Sequence, residues 1–333
     1  MKKIQEMENT KVANARNIII FLILISVFDL PIYAQQDKYV IIADALDTTA
    51  EDIEQYVVKN YTFKTDQLYK KNYSVEAYNI IFDKPDHRYK RIALLTVLPD
   101  VVTGELWFPI DSAEAFAERK PIGSLSYLAF PNMGYYEGMT NMQRKFFNQY
   151  FVVVKKDGKY YRSKNCLLEI FEVKSVDPLM PTLYGQLNLT DHKLSIQSYA
   201  DIYARSYPFE ILPLSISHTG EIANVEEGWR ICREYLSDTL AINGKKAYKF
   251  WTSGFMNVSH GPDFTRGIDR FIYMPDLGIV GGSYDFHFKR HYRHPDTRPY
   301  PEQPNNLTED EWRKNVMEEK VMLAEELKSK ESD

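Results

Sequence analysis

The sequence predicts an α+β protein built mainly of antiparallel sheet from hairpins, with a few short helices and one long C-terminal helix. Three observations carry this. Short β-rich runs bounded by turn residues recur between residues 38 and 288. Asp157-Gly158 and Asn243-Gly244 each stand between such runs, and these dipeptides are the strongest short-range hairpin signals. Sustained strand–helix alternation, which would indicate a parallel sheet, is missing.

The N-terminus reads as an export signal, residues 1–34. Lys2, Lys3, Lys11 and Arg16 give a basic start, Ile18 to Phe28 is apolar except for Ser26, and Ala34 offers a small residue for cleavage. The apolar run is short for a bilayer, which needs ~20 residues. A cleaved signal is therefore expected over the alternative of an uncleaved membrane anchor, which leaves no transmembrane segment in the mature chain. Cleavage leaves roughly 300 residues, enough for one large domain or two ordinary ones. The expected division is an N-terminal α+β domain at 35–175 and a β-rich domain at 176–298, which can also be read as one. A Pro-rich linker at 299–307 and a helix at 308–333 follow.

Residues 38–47 form the first expected strand. Thr49 then caps a helix whose apolar face holds Ile53, Tyr56 and Val57. Ala77–Phe82 and Ile92–Leu98 read as strands, and Pro99, Asp100 and Gly104 turn the second of them into Leu106-Trp107-Phe108 as a hairpin. Asp111 and Ser112 cap a short helix reaching Arg119. Thr140 and Gln143 form a capping box for a helix reaching Tyr150. Hairpins follow at Asp157-Gly158, at Asp191-His192 between Leu183 and Tyr199, and at Asn243-Gly244. Asn224 and Glu227 open a helix carrying Trp229 and Cys232. The last strands lie at Phe271–Tyr273 and Ile279–Phe288, with Gly278, Gly281 and Gly282 allowing a bulge or tight bend. Thr308 and Glu311 make a capping box for the terminal helix, supported by acid-then-base pairs at i,i+4.

The net charge is −5, which argues against a nucleic-acid partner. No dinucleotide fingerprint, triphosphate loop, nucleophile elbow or helical zinc-peptidase histidine pair is present. No metal site and no cofactor are expected. Two cysteines, Cys166 and Cys232, can pair in an oxidising compartment or stand as buried thiols. His218 and His260 sit in turn-rich loops.

Two constellations remain. If Ser283–Lys289 is extended, Asp285 and His287 share a face away from Tyr284, Phe286 and Phe288, the arrangement of a proton-transfer pair. Tyr135, Tyr136 and Glu137 lie between Gly134 and Gly138, placing two rings beside an acid in a loop suited to stacking on a sugar. With 24 tyrosines and no catalytic signature, the leading expectation is a secreted, periplasmic or cell-surface protein, non-enzymatic, binding a glycan or an envelope protein. One alternative is a secreted hydrolase centred on Asp285 and His287. Another is a scaffold subunit docking through the C-terminal helix.

Overall fold

The computed structural model describes residues 37–42, 56–82, 89–129, 145–179, 185–209, 234–252, 267–288 and 307–328. Three sheets stack as layers. The outer sheet has the order β1-β7-β8-β5, from β1 (Lys38–Ile41), β5 (Trp107–Ile110), β7 (Tyr150–Lys156) and β8 (Lys159–Ser163). The central sheet has the order β10-β9-β4-β3-β2, and β6 also pairs with β9. Its strands are β2 (Tyr56–Lys64), β3 (Ser74–Phe82), β4 (Lys90–Leu98), β6 (Lys145–Phe147), β9 (Asn165–Lys174) and β10 (Gln186–Asn188). The third sheet runs in chain order through β11 (Glu234–Ile242), β12 (Lys245–Thr252), β13 (Arg270–Met274), β14 (Gly278–Gly282) and β15 (Met322–Leu323). Pairings are antiparallel except β1 with β7 and β9 with β10.

The central sheet is buried on both faces, and the alternation of side chains across a strand shows how. Ile92 and Leu94 of β4 join one apolar cluster with the third sheet, while Ala93, Leu95 and Val97 join another with β1 and β7. A strand covered on both sides must be apolar throughout, which explains the near-continuous apolar run of β4. The cluster under the third sheet draws on residues from Tyr61 to Ala324, and Asp37–Asp333 form one compact unit.

Short helices fill the edges: α1 (Asp66–Tyr69), α2 (Ser112–Ala117), α3 (Ile196–Ser206), α4 (Asp285–Phe288) and α5 (Glu309–Met317). A 3₁₀ helix covers Ile122–Ala129. Asp111 caps α2 by accepting from the Glu114 amide, and Thr308 with Glu311 forms a complete capping box on α5. The two predicted turns hold: Asp157 and Gly158 have φ of 50° and 77°, Asn243 and Gly244 have 49° and 74°, and each pair closes a hairpin. The register slips between Ile272 and Tyr273, leaving Val280 as a bulged residue among the glycines of β14.

The long C-terminal helix does not exist. Helix α5 ends at Met317, Glu319 takes a left-handed φ of 50°, and Met322 and Leu323 then pair with β14. The open edge of β14 claims these residues, because alternate side chains Met322 and Ala324 are both fully buried there. A pattern of Val, Met, Leu and Ala supports a helix locally, but sheet pairing overrides it. This also removes the docking helix at 308–333.

Five smaller corrections have similar causes. Tyr56 and Val57 begin β2 rather than ending a helix. Trp107 and Phe108 lie in β5, which pairs with β8 in the outer sheet, so no hairpin joins β4 to β5. Lys145–Phe147 is strand rather than the end of a helix. Gln186–Asn188 pairs parallel with β9 and is followed by α3, so the described residues 185–199 do not form the expected hairpin turning at Asp191-His192. Asp285–Phe288 is a helical turn rather than strand. No described helix is long and apolar enough to cross a membrane.

Candidate functional sites

The turn after β14 is built by what surrounds it. Gly281 lets β15 approach, since a Cβ there would stand 2.7 Å from the Met322 carbonyl oxygen. Ser283 and Tyr284 then lead into α4, and the Tyr284 amide donates to the Tyr69 hydroxyl at 2.7 Å. The Asp285 amide donates to Asp269 Oδ2 at 2.6 Å. These anchors aim the Asp285 carboxylate at four donors. Arg270 Nη1 and Nη2 reach it at 2.8 and 3.1 Å, Tyr69 Oη at 2.8 Å and Trp312 Nε1 at 2.9 Å.

Burial works to raise the Asp285 pKa, but Arg270 and the hydrogen bonds from Tyr69 and Trp312 hold it below the usual carboxylate range. Burial works to lower that of Arg270, and Asp285 more than reverses it. Burial pushes the Tyr69 phenol well up, with Asp285 adding to the effect. A carboxylate offers about four lone-pair directions, and here four donors occupy them. The group is a knot tying α1, β13, α4 and α5 together. His287 shares α4 but takes another partner, its Nε2 lying 2.8 Å from the Pro99 carbonyl oxygen. Asp285 and His287 therefore lie two residues apart, both buried, on a helical turn rather than on a shared open strand face.

A second buried polar group lies between the central and third sheets. Lys145 of β6 stands directly across from Glu169 of β9. Both Glu169 carboxylate oxygens accept from the Ile268 amide, at 3.2 and 3.1 Å. Glu234 begins β11 nearby and accepts from the Gly185 amide at 2.7 Å. Burial pushes Glu169 up to about 7; Lys145 and the Ile268 amide oppose the rise, while Glu234 and Asp269 add to it. Gly267 leaves room for the Lys145 ammonium, since a Cβ there would stand 2.2 Å from Lys145 Nζ and displace it. The sequence carried a signal for this group: Glu169 is a lone acid inside the apolar run Cys166–Phe171.

The outer sheet presents a different chemistry. On one face, Phe108 stands across from Arg162, and Ile110 from Tyr160. The Arg162 guanidinium carbon lies 5.6 Å from the Phe108 ring centre and 4.7 Å from that of Phe151, so it sits between two rings. Phe116 of α2 meets Tyr160 edge-on at 5.6 Å. Phe108 is 50% exposed and Phe116 47%, high values for rings of that size. Lys155 lies over Tyr160 at 5.4 Å, and Lys156 over Trp107 at 4.9 Å. Lys155, Lys156, Tyr160 and Arg162 had a readable signal in the basic and aromatic run Lys155–Arg162, whereas Phe108 and Phe116 had none.

Tyr135, Tyr136, Glu137, His218, His260 and Cys232 lie outside the described residues. Cys166 is a buried free thiol on the face of β9 toward the outer sheet, and burial pushes its pKa up to about 12. Among the described residues, no group of three or more His, Cys, Asp or Glu side chains is placed to hold a metal ion. No family model matches the chain, and no curated protein or solved structure matches it.

Proposed function

We propose that this is an exported, non-enzymatic binding protein of the extracellular space or cell envelope, and that its ligand is a saccharide. The observation that carries the reading is the ring-lined face of the outer sheet. Phe108, Phe116 and Tyr160 lie together on regular elements, and two of the three rings are about half exposed. Exposed aromatic clusters of this kind mark recognition surfaces, and strands and helices hold a site more rigidly than loops do. Exposed ring faces suit the apolar face of a sugar ring.

The surroundings of Asp285 speak against the hydrolase reading centred on it. Asp285 spends its carboxylate on four structural donors, which leaves no lone pair to take a substrate proton. Export rests on the order of basic start, apolar run and small residue in 1–34.

The test is retention of the purified chain in gels cast with each of several polysaccharides, beside the double variant Phe108→Ala/Phe116→Ala. Retention by at least one polysaccharide, lost in the double variant without a fall in melting temperature, is the expected result. Equal retention of both proteins, or retention by none of the polysaccharides, would remove the assignment.

A further inference from the structure

We infer that the saccharide taken by this face is acidic, and that the β7–β8 hairpin binds its carboxylate or sulfate groups. The inference rests on the saccharide reading above and adds the charge of the ligand. The chain as a whole is acidic, at −5. Against that background, the hairpin from Lys155 to Arg162 carries Lys155, Lys156, Lys159 and Arg162, with Asp157 as its one acid.

The pairing of the hairpin makes this concentration costly. Lys156 stands directly across from Lys159, and like charges at opposed positions destabilise a sheet. Among the described residues, none of these four cations forms an ion pair with a carboxylate. Lys155 and Arg162 instead lie over the rings of Tyr160, and of Phe108 with Phe151, on the ring-lined face, while Lys156 lies over Trp107 on the opposite face, which Lys159 shares. The rings attract the cations and hold them near the surface. They do not neutralise them. Cations without ion-pair partners, Lys155 and Arg162 beside the half-exposed Phe108 and Lys156 and Lys159 at the hairpin tip, are complementary to a chain of sugar rings bearing regularly spaced anions.

The shape favours a polysaccharide over a membrane. The hairpin tip is Asp157-Gly158, an acid and a glycine, so the part that would meet a bilayer first has no apolar wedge. The rings lie back along the strands, where an extended ligand can run over several of them.

The experiment titrates the purified chain with polygalacturonate, chondroitin sulfate, neutral dextran and vesicles of phosphatidylcholine containing phosphatidylglycerol. The triple variant Lys155→Gln/Lys156→Gln/Lys159→Gln is titrated alongside. Binding to one or both acidic polysaccharides is expected, weakening by roughly tenfold or more in the variant and falling steeply with added salt. The variant should melt no lower than the parent, because it loses the Lys156–Lys159 repulsion; this separates lost binding from lost fold. Dextran binding that the variant retains would overturn the acidic ligand and leave the saccharide reading standing. Binding to the vesicles but to none of the polysaccharides would overturn both and mark the hairpin as a membrane contact. No binding to any probe would also overturn both.

Discussion

Arg270 and Asp285 meet as a two-pronged ion pair, with contacts of 2.8 and 3.1 Å and each side chain about 2% exposed. Arg270 comes from β13 and Asp285 from α4. The pair fixes the chain where the third sheet hands over to the C-terminal segment. Arg270 also donates through Nε to the Lys320 carbonyl at 3.1 Å, just before β15 begins.

Breaking this pair should cost far more than a surface ion pair. Asp285→Ala leaves the Arg270 guanidinium buried without its counter-ion, together with the Tyr69 and Trp312 donors. A loss of about 3–5 kcal/mol is expected. Lys193→Ala, which removes an exposed pair with Asp238, should cost under about 1 kcal/mol. Urea unfolding of the two variants makes the comparison. Equal small losses would mean that Asp285 does not hold the fold together.

Two of the buried acids, Asp285 and Glu169, give opposite pH dependences. The Asp285 pKa is depressed in the folded state, so its contribution is present above its unfolded value of 3.8 and is lost as the pH falls. The Glu169 pKa is raised from 4.5 to about 7, so its contribution is complete below 4.5 and is lost as the pH rises through 7. Stability should therefore decline between those two values, by on the order of 3 kcal/mol. Denaturant unfolding at a series of pH values checks this, and Glu169→Gln should flatten the decline. A stability that is flat or rising over this range would contradict the assignment of Glu169.

The C-terminal segment should behave as part of the core. Trp312 is 2% exposed and donates to Asp285, and Met322 and Ala324 are fully buried. Glu319 accepts from the Ile196 amide at 2.6 Å and from the Ser237 hydroxyl, tying the end of α5 to α3 and β11. Trp312→Ala should cost about 3–5 kcal/mol. Limited proteolysis should leave residues 307–328 uncut in the parent and release them in the variant. Early release from the parent would contradict the placement of β15.

Cys166 should be inert in the folded protein. Its thiol is fully buried, and burial lifts its pKa to about 12, so little thiolate exists near neutrality. Maleimide should label it only after unfolding in guanidinium chloride. Labelling before unfolding would contradict its burial. Failure to label after unfolding without reductant would show that the thiol is paired.

The fold was legible where the signal is local. Asp157-Gly158 and Asn243-Gly244 specify their turns because each needs two residues with positive φ. Asp111 and Thr308 specify their caps through a side-chain oxygen one turn from an open amide. What failed depended on partners distant in the chain. Met322 and Leu323 become strand because β14 offers an edge, and no nearby residue announces that edge. Asp285 points inward because Arg270, Tyr69 and Trp312 converge on it from three elements. Alternation along Ser283–Lys289 alone turned the same carboxylate outward. The exposed rings of the outer sheet were missed for a related reason. Nothing near Phe108 or Phe116 in the chain marks either ring as exposed, because that depends on β5 lying at a sheet edge and on where α2 packs.

The central claim is that the ring-and-cation face of the outer sheet is where the ligand sits. Hydrogen exchange of the purified chain with and without an acidic polysaccharide tests it most directly. Binding should slow exchange in β5, in α2 and in the strands flanking Asp157-Gly158, and leave α4 and the third sheet unchanged. Slowed exchange confined to the third sheet, or none at all, would contradict the claim.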